Sequence, residues 1–292
     1  QADHQTTPDM NMNLVLQGPG AQREALNRVA ALAAPARIVA LGEHAVRCEQ
    51  FAYSLELKQA IELAAHAARL DATFIEAGRT LSDFRLVAMD MDSTLITIEC
   101  IDEIADMQGL KPQVAEITEA AMRGELDFSD SLSRRVALLE GLDAAALQRV
   151  YDERLQISPG GERMLAAVKA AGLKTLLVSG GFTFFTERLQ QRLGLDHVRA
   201  NVLEISGGKL TGRVVGGIVD AEEKKRTVER VCAELGAPPK QAIVMGDGAN
   251  DVSMMKISGL SVAFRAKPVV YQQADVALNF SGLDGLLNIL AA

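Results

Sequence analysis

A run of apolar residues ending in two carboxylates sets the frame for this chain: Leu86-Val87-Ala88-Met89 leads into Asp90-Met91-Asp92-Ser93-Thr94-Leu95. Uninterrupted apolar character over four residues reads as a buried strand. Residues i and i+2 of a strand point the same way, so Asp90 and Asp92 start out aimed at one place. Carboxylates held that close repel unless something positive lies between them. A hard cation such as Mg²⁺, which takes oxygen ligands and retains waters, suits that position. A solvated acidic turn accounts for a bare D-x-D equally well. A calcium loop does not. An EF-hand starting at Asp90 needs Gly at its sixth position and Glu at its twelfth, where this chain has Leu95 and Ile101; one starting at Asp247 meets Val252 at its sixth.

Further segments share the form. Lys174 to Val178 is an apolar strand running into Ser179-Gly180-Gly181, and Ala242 to Met245 is another, running into Gly246-Asp247-Gly248-Ala249-Asn250-Asp251. Lys224, between them, opens a helix-like stretch. Apolar runs followed by polar loops and helical periodicity predict a parallel sheet with helices on both faces. In such sheets ligands bind at the carboxyl ends of the strands, so these polar groups converge on one crevice.

Size and charge bound the rest. A chain of 292 residues suggests about two domains. A net charge of −8 with no long basic block argues against nucleic acid as a partner. Cys48, Cys100 and Cys232 are too few and too scattered for a disulfide framework or a zinc site, which favours a reducing, cytoplasmic setting. No apolar run reaches the ~18 residues of a membrane span. Gln1 to Met10 is polar, lacks a basic-then-apolar signal pattern and is expected to be a flexible N-terminus; without an initial Met, the native start is left open.

Residues 11–80 read as a small α/β domain. Leu14 to Leu16, Arg37 to Leu41, Ala45 to Phe51 and Ala72 to Ile75 are its strands, and Ala21 to Ala34 and Leu57 to Leu70 its helices. Their order resembles the ferredoxin-like, ACT-type domains that precede some metabolic enzymes. Gly18-Pro19-Gly20 is read as a strand-to-helix turn, and His44 and His66 as surface or packing residues rather than ligands.

Residues 81–292 form the main domain. After the Asp90 loop, helical pattern punctuated by Gly109, Gly124 and Gly141 fills about 99–156, predicting a helical cap of four short helices. Inserted at the carboxyl end of a strand, it sits over the crevice as a lid. In one cap helix Leu132, Val136 and Leu139 share a face that also carries Arg135, while Arg134 is turned by about 100° toward solvent. An Arg on an apolar face needs a partner for its charge; a structural salt bridge within the cap is the plainer alternative to a ligand. Beyond the cap, Gly160 to Ala171, Phe182 to Leu193 and Lys224 to Leu235 read as helices. Ser206-Gly207-Gly208-Lys209 reads as a hairpin turn, and Ser261 to Phe264 and Val276 to Leu278 as edge strands.

Asp90-Met-Asp92-Ser-Thr94, Ser179-Gly180, Lys224 and Gly246-Asp247-Gly248-Ala249-Asn250-Asp251, in that order, resemble the haloacid dehalogenase (HAD) superfamily. The likeness covers about residues 84 to 292. A finer pattern resembles its phosphoserine phosphatase family: Glu99 nine residues after Asp90, Phe128 and Arg135 in Phe-x-x-Ser-Leu-x-x-Arg-Val, and Ser-Gly-Gly-Phe at 179–182. Met91 occupies a slot that is often aromatic in relatives. The fold expected from the resemblance is a Rossmann-like parallel sheet, the HAD core, with a helical cap after its first strand.

The resemblance implies Mg²⁺-dependent hydrolysis of O-phospho-L-serine, the last step of serine biosynthesis, through an aspartyl phosphate. Asp90 would be the nucleophile and Asp92 the general acid and base. Asp90, the Asp92 main-chain carbonyl and Asp247 would hold the metal. Ser179, Gly180 and Lys224 would hold the phosphoryl group, Asn250 would orient substrate, and Asp251 would support Lys224. Glu99, Phe128 and Arg135 would recognise the serine moiety. The expected partner is this small molecule, with no nucleic acid and no membrane; a homodimer is left open. Rival readings are a phosphatase or phosphotransferase for another small phosphate ester, and an amino-acid-sensing module built on the N-terminal domain.

Overall fold

The computed structural model describes residues 9–292. The N-terminal domain runs β1 (Met12–Gln17), α1 (Arg23–Ala30), β2 (Arg37–Ala40), β3 (Ala45–Glu49), α2 (Leu55–Ala67) and β4 (Asp71–Glu76). Its antiparallel sheet has the order β2-β3-β1-β4, the ferredoxin-like arrangement expected from the element order. Leu26, Val29, Ala30 and Ala33 are all buried, as the periodicity predicts. The first helix is shorter than Ala21 to Ala34. It tightens into a 3₁₀ turn at Ala31–Ala33 and ends at Ala34, whose φ of 46° is left-handed.

The main sheet begins at β5 (Leu86–Met89). Four cap helices follow: α3 (Cys100–Asp106), α4 (Lys111–Met122), α5 (Phe128–Ala137) and α6 (Ala145–Glu153). The chain returns through α7 (Gly161–Ala170) to β6 (Lys174–Phe182), then α8 (Thr183–Leu193), β7 (His197–Ser206), β8 (Lys209–Val215), α9 (Ala221–Glu234), β9 (Ala242–Gly246) and α10 (Val252–Ile257). It closes with β10 (Leu260–Phe264), α11 (Pro268–Tyr271), β11 (Val276–Leu278) and α12 (Gly285–Ile289). The strand order is β11-β10-β9-β5-β6-β7-β8. β5 lies at the centre, paired in parallel with β6 on one side and β9 on the other. Its side chains alternate between two cores: Leu86 and Ala88 pack with α9, while Val87 and Met89 join the core that extends into the cap. That two-sided burial is why the run is apolar throughout.

Two local expectations are corrected. Ser179-Gly180-Gly181 is not a free loop, because β6 continues through it to Phe182, with a shift of register against β7 after Val178. Ser261 to Phe264 is not an edge strand, because β10 lies between β9 and β11. The Gly207-Gly208 hairpin belongs to the main sheet. β7 starts at His197, pairs in parallel with β6 and only then turns back, so β8 forms the far edge.

The N-terminal sheet is fastened to the end of the chain by buried polar contacts. Asp71 is 2% exposed and accepts backbone N–H bonds from Asn279, Phe280 and Ser281, the shortest 2.8 Å. Gln17 donates to the Gly285 carbonyl at 3.0 Å and accepts from Asn288 at 2.8 Å. The three cysteines are buried and unpaired. No helix among the described residues is long and apolar enough to cross a membrane. The expected flexible N-terminus falls, for residues 1–8, outside the described residues.

Candidate active site

The crevice lies at the carboxyl ends of β5, β6 and β9. The chain runs from β5 outward to β6 on one side and comes back to β9 on the other, so this is the sheet's switch point, where parallel α/β folds place ligands. A cavity of about 140 Å³ opens there between core and cap. Asp90, Asp92, Ser179, Gly180, Asp247 and Asn250 line its floor, and Glu99, Phe128 and Arg135 its cap side. Every predicted site residue except Lys224 and Asp251 therefore reaches the cavity. Those two stand directly behind it.

Lys224 is completely buried near the start of α9, a helix capped by Asp220, which accepts from Glu223 N at 2.9 Å. Its Nζ donates to Asp90 Oδ1 at 3.1 Å and to Asp251 Oδ1 at 2.8 Å. Burial alone would lower the lysine pKa, but the two carboxylates outweigh it and the net shift is upward. Asp251 Oδ2 accepts from the Asp247 and Gly248 N–H groups, both at 3.1 Å, and so shapes the acidic loop. Asp90 Oδ1 also accepts from Met91 N at 2.8 Å.

Carboxylate oxygens of Asp90, Asp247 and Asp251 lie within 4.8 Å of one another. Burial raises the pKa of each to about 6, and repulsion among them adds to it. Asp251 has both oxygens committed to Lys224 and the backbone, which leaves Asp90 and Asp247 as the side chains that could hold a cation. Close, buried, oxygen-only donors suit a hard divalent cation. Asp92 has its pKa pushed well above the usual carboxylate range, first by burial and then by Glu99 and Asp90. Its Oδ1 is buried without a hydrogen-bond partner.

Two glycines let the walls come together. A Cβ on Gly180 would lie 2.7 Å from Phe128 Cζ, so the cap's aromatic ring rests on bare backbone. A Cβ on Gly181 would lie 2.9 Å from Met91 Cε and 3.0 Å from Ser179 Oγ. Ser179 Oγ accepts from Gly181 N at 2.8 Å, leaving its proton free to point elsewhere.

On the cap side, Glu99 is exposed as a residue, and desolvation of its carboxyl by the surrounding protein raises its pKa to about 7. Arg135 is half-buried, and its Nε donates to Ser131 O at 3.3 Å. Asp102 is its strongest electrostatic neighbour, but Arg135 forms no salt bridge among the described residues. Arg134 is exposed, as expected.

Some residues of the site were not singled out from sequence. Thr94 Oγ1 donates to Asp247 Oδ1 at 2.9 Å, joining the first acidic loop to the last. Ser93 Oγ donates to Glu99 Oε1 at 2.8 Å, and Ser93 itself has a left-handed φ of 58°, a strained setting that clusters at functional sites. Both stand inside the quoted D-x-D-S-T motif, where a role could have been sought. Ile101, Leu132 and Phe182 supply apolar lining.

Fold and acidic centre together are those of a haloacid dehalogenase-like hydrolase, and the model of that family matches residues 87–256. A phosphoserine phosphatase from Polaromonas sp. is 58% identical over 215 residues, 72% of this chain and 91% of the relative. A structure of a probable phosphoserine phosphatase from Vibrio cholerae superposes with a TM-score of 0.82 at 35% identity, covering 96% of this chain and 86% of that one. A phosphoserine phosphatase solved as an analogue of its phospho-aspartyl intermediate has a TM-score of 0.67 at 36% identity, over 71% of this chain and 98% of its own. The chain belongs to the phosphoserine phosphatase family of the haloacid dehalogenase-like hydrolases.

Proposed function

We propose that the protein hydrolyses O-phospho-L-serine to L-serine and phosphate, with Asp90 as nucleophile and Mg²⁺ as the cation. The observation that carries this reading is the meeting, in one cavity of about 140 Å³, of a lysine-paired carboxylate on the floor with an acid, Glu99, and a base, Arg135, on the cap side. The floor suits a phosphoryl group; the cap side suits an ammonium and a carboxylate on one carbon.

An Asp90 oxygen attacks phosphorus while the ester P–O bond breaks. Asp92, whose buried setting beside Glu99 and Asp90 favours the protonated form, gives its proton to the departing serine oxygen. Water then attacks the aspartyl phosphate, Asp92 takes its proton, and the bond to Asp90 breaks to release phosphate. Splitting a difficult hydrolysis through this covalent stage gives two easier steps. Ser179 hydroxyl and Gly180 N–H hold the phosphoryl oxygens, Lys224 supplies positive charge from behind through its bond to Asp90, and Asn250 orients the substrate. Bound Mg²⁺ would offset repulsion between the phosphate and Asp90, held by Asp90, Asp247 and the Asp92 carbonyl.

The buried free thiols suit a cytoplasmic setting. Steady-state turnover across a panel of phosphate esters with Mg²⁺ tests the assignment. Phosphoserine is expected to have the highest kcat/KM; a higher value for an ester lacking the amine and carboxylate overturns the substrate.

A further inference from the structure

Asn201 stands in β7, opposite Phe182, at the point where β6 and β7 resume pairing after their shift of register. It is 1% exposed and does not line the cavity. Its Nδ2 donates to the Gly180 carbonyl at 2.8 Å, and its Oδ1 accepts from Val219 N at 2.8 Å. Only one orientation of the side-chain amide satisfies both contacts, so its atoms are assigned by the network itself.

The Gly180 carbonyl and the Gly181 N–H belong to the same peptide group. Asn201 holds that peptide by its oxygen, and the Gly181 N–H at its other end reaches Ser179 Oγ at 2.8 Å. One Ser179 lone pair is thereby occupied, and the hydroxyl proton is left to turn into the cavity. Val219 directly precedes Asp220, the cap of α9, and α9 carries Lys224. A single buried side chain therefore ties the backbone that aims Ser179 to the segment that delivers Lys224.

We infer that Asn201 is a positioning residue for phosphoryl transfer: without touching substrate, it fixes the Gly180–Gly181 peptide, and through it the Ser179 hydroxyl, relative to Lys224. This rests on the reading above that Ser179 and Gly180 hold phosphoryl oxygens. It separates the residue from Glu99 and Arg135, because a misplaced phosphate cradle harms every phosphate ester alike.

The test uses the full chain with Asn201→Ala and Asn201→Asp. Asn201→Ala removes both bonds. Asn201→Asp keeps an acceptor for Val219 N–H but loses the donor to Gly180. In both, the inhibition constant of inorganic phosphate should rise by about tenfold or more, the scale of an unmet buried hydrogen bond. kcat/KM should fall by a similar factor for phosphoserine and for a plain ester, leaving their ratio unchanged. A folded variant within twofold of wild type in both quantities overturns the inference. So does a change in the ratio of the two esters. If neither variant folds, a heteronuclear NMR titration of the wild type with inorganic phosphate decides: the Gly181 amide and the Asn201 side-chain amide should shift along one saturation curve, and resonances that stay still overturn it. A wild-type protein that neither hydrolyses phosphoserine nor binds phosphate would instead sink the reading of the site, and this inference with it.

Discussion

Lys224 and Asp90 form a 3.1 Å ion pair whose lysine side chain has no exposed surface. Asp251 closes the other side at 2.8 Å and is equally buried. Removing one partner of such a cluster leaves charge with neither water nor counter-ion. Lys224→Met should destabilise the fold by about 3–5 kcal/mol and abolish turnover. Adding Asp251→Asn should recover part of the stability without activity, since one stranded charge is gone. Denaturant midpoints of both variants check this; an unchanged midpoint for Lys224→Met would show that the pair is not stabilising.

In the proposed mechanism Asp90 is the nucleophile and Asp92 carries the proton transfers. Asp90→Asn should eliminate turnover with the fold retained. Asp92→Asn should slow both steps and let phosphoenzyme accumulate. Acid quenching with labelled substrate followed by peptide mapping reads the result. Stable label on any residue other than Asp90 would contradict the mechanism.

The acidic centre also makes stability depend on pH in a defined direction. Asp90, Asp247 and Asp251 have pKa values raised to about 6, chiefly by burial, against about 3.9 for an aspartate in the unfolded chain. Between those values the folded state binds more protons than the unfolded one, so the slope of unfolding free energy against pH is negative. Their contribution is fully present below the unfolded pKa and is lost as pH rises through about 6. Mg²⁺, which binds the ionised form, should reverse the trend. Thermal midpoints in chelator should therefore decline across this window relative to those in excess Mg²⁺, and Asp247→Asn should flatten the decline. Two parallel curves would show that these carboxylates do not hold the cation.

What could be read from sequence follows how far each signal reaches along the chain. Asp90, Asp247 and Ser179 stand at the ends of apolar runs, and a buried parallel strand leaves no other pattern. Arg135 was legible because helical spacing places it beside Leu132 and Leu139. Asn201 and Thr94 were not: each acts through one side-chain bond to a group far off in sequence, Gly180 and Asp247, and no local periodicity marks such a pairing. The strand status of Ser179 to Phe182 was hidden for a different reason. Ser-Gly-Gly reads as a turn by local preference, and it is the pairing of Val178 and Phe182 with β7 on either side that carries the strand through it.

Selectivity for phosphoserine is proposed to rest on Glu99 and Arg135, and the structure gives each a setting that can be tested. Ser93 fixes the Glu99 carboxyl at 2.8 Å, while Arg135, without a salt bridge among the described residues, projects from α5 into the same cavity. A hydrogen bond to a charged group contributes roughly 1.5–3 kcal/mol, so Glu99→Gln and Arg135→Ala should each lower kcat/KM for phosphoserine by about tenfold to a hundredfold. A small ester without amine or carboxylate should be nearly unaffected. Glu99 titrates near pH 7, raised by burial, and only its ionised form attracts an ammonium. The preference for phosphoserine over the plain ester should therefore grow as pH rises through about 7, and Glu99→Gln should remove that rise. Taking the ratio of the two kcat/KM values cancels the pH dependence of Asp90 and Asp92, which both substrates share. If both esters decline equally in the variants, Glu99 and Arg135 organise the cap instead, and the choice of phosphoserine must lie elsewhere in the cavity.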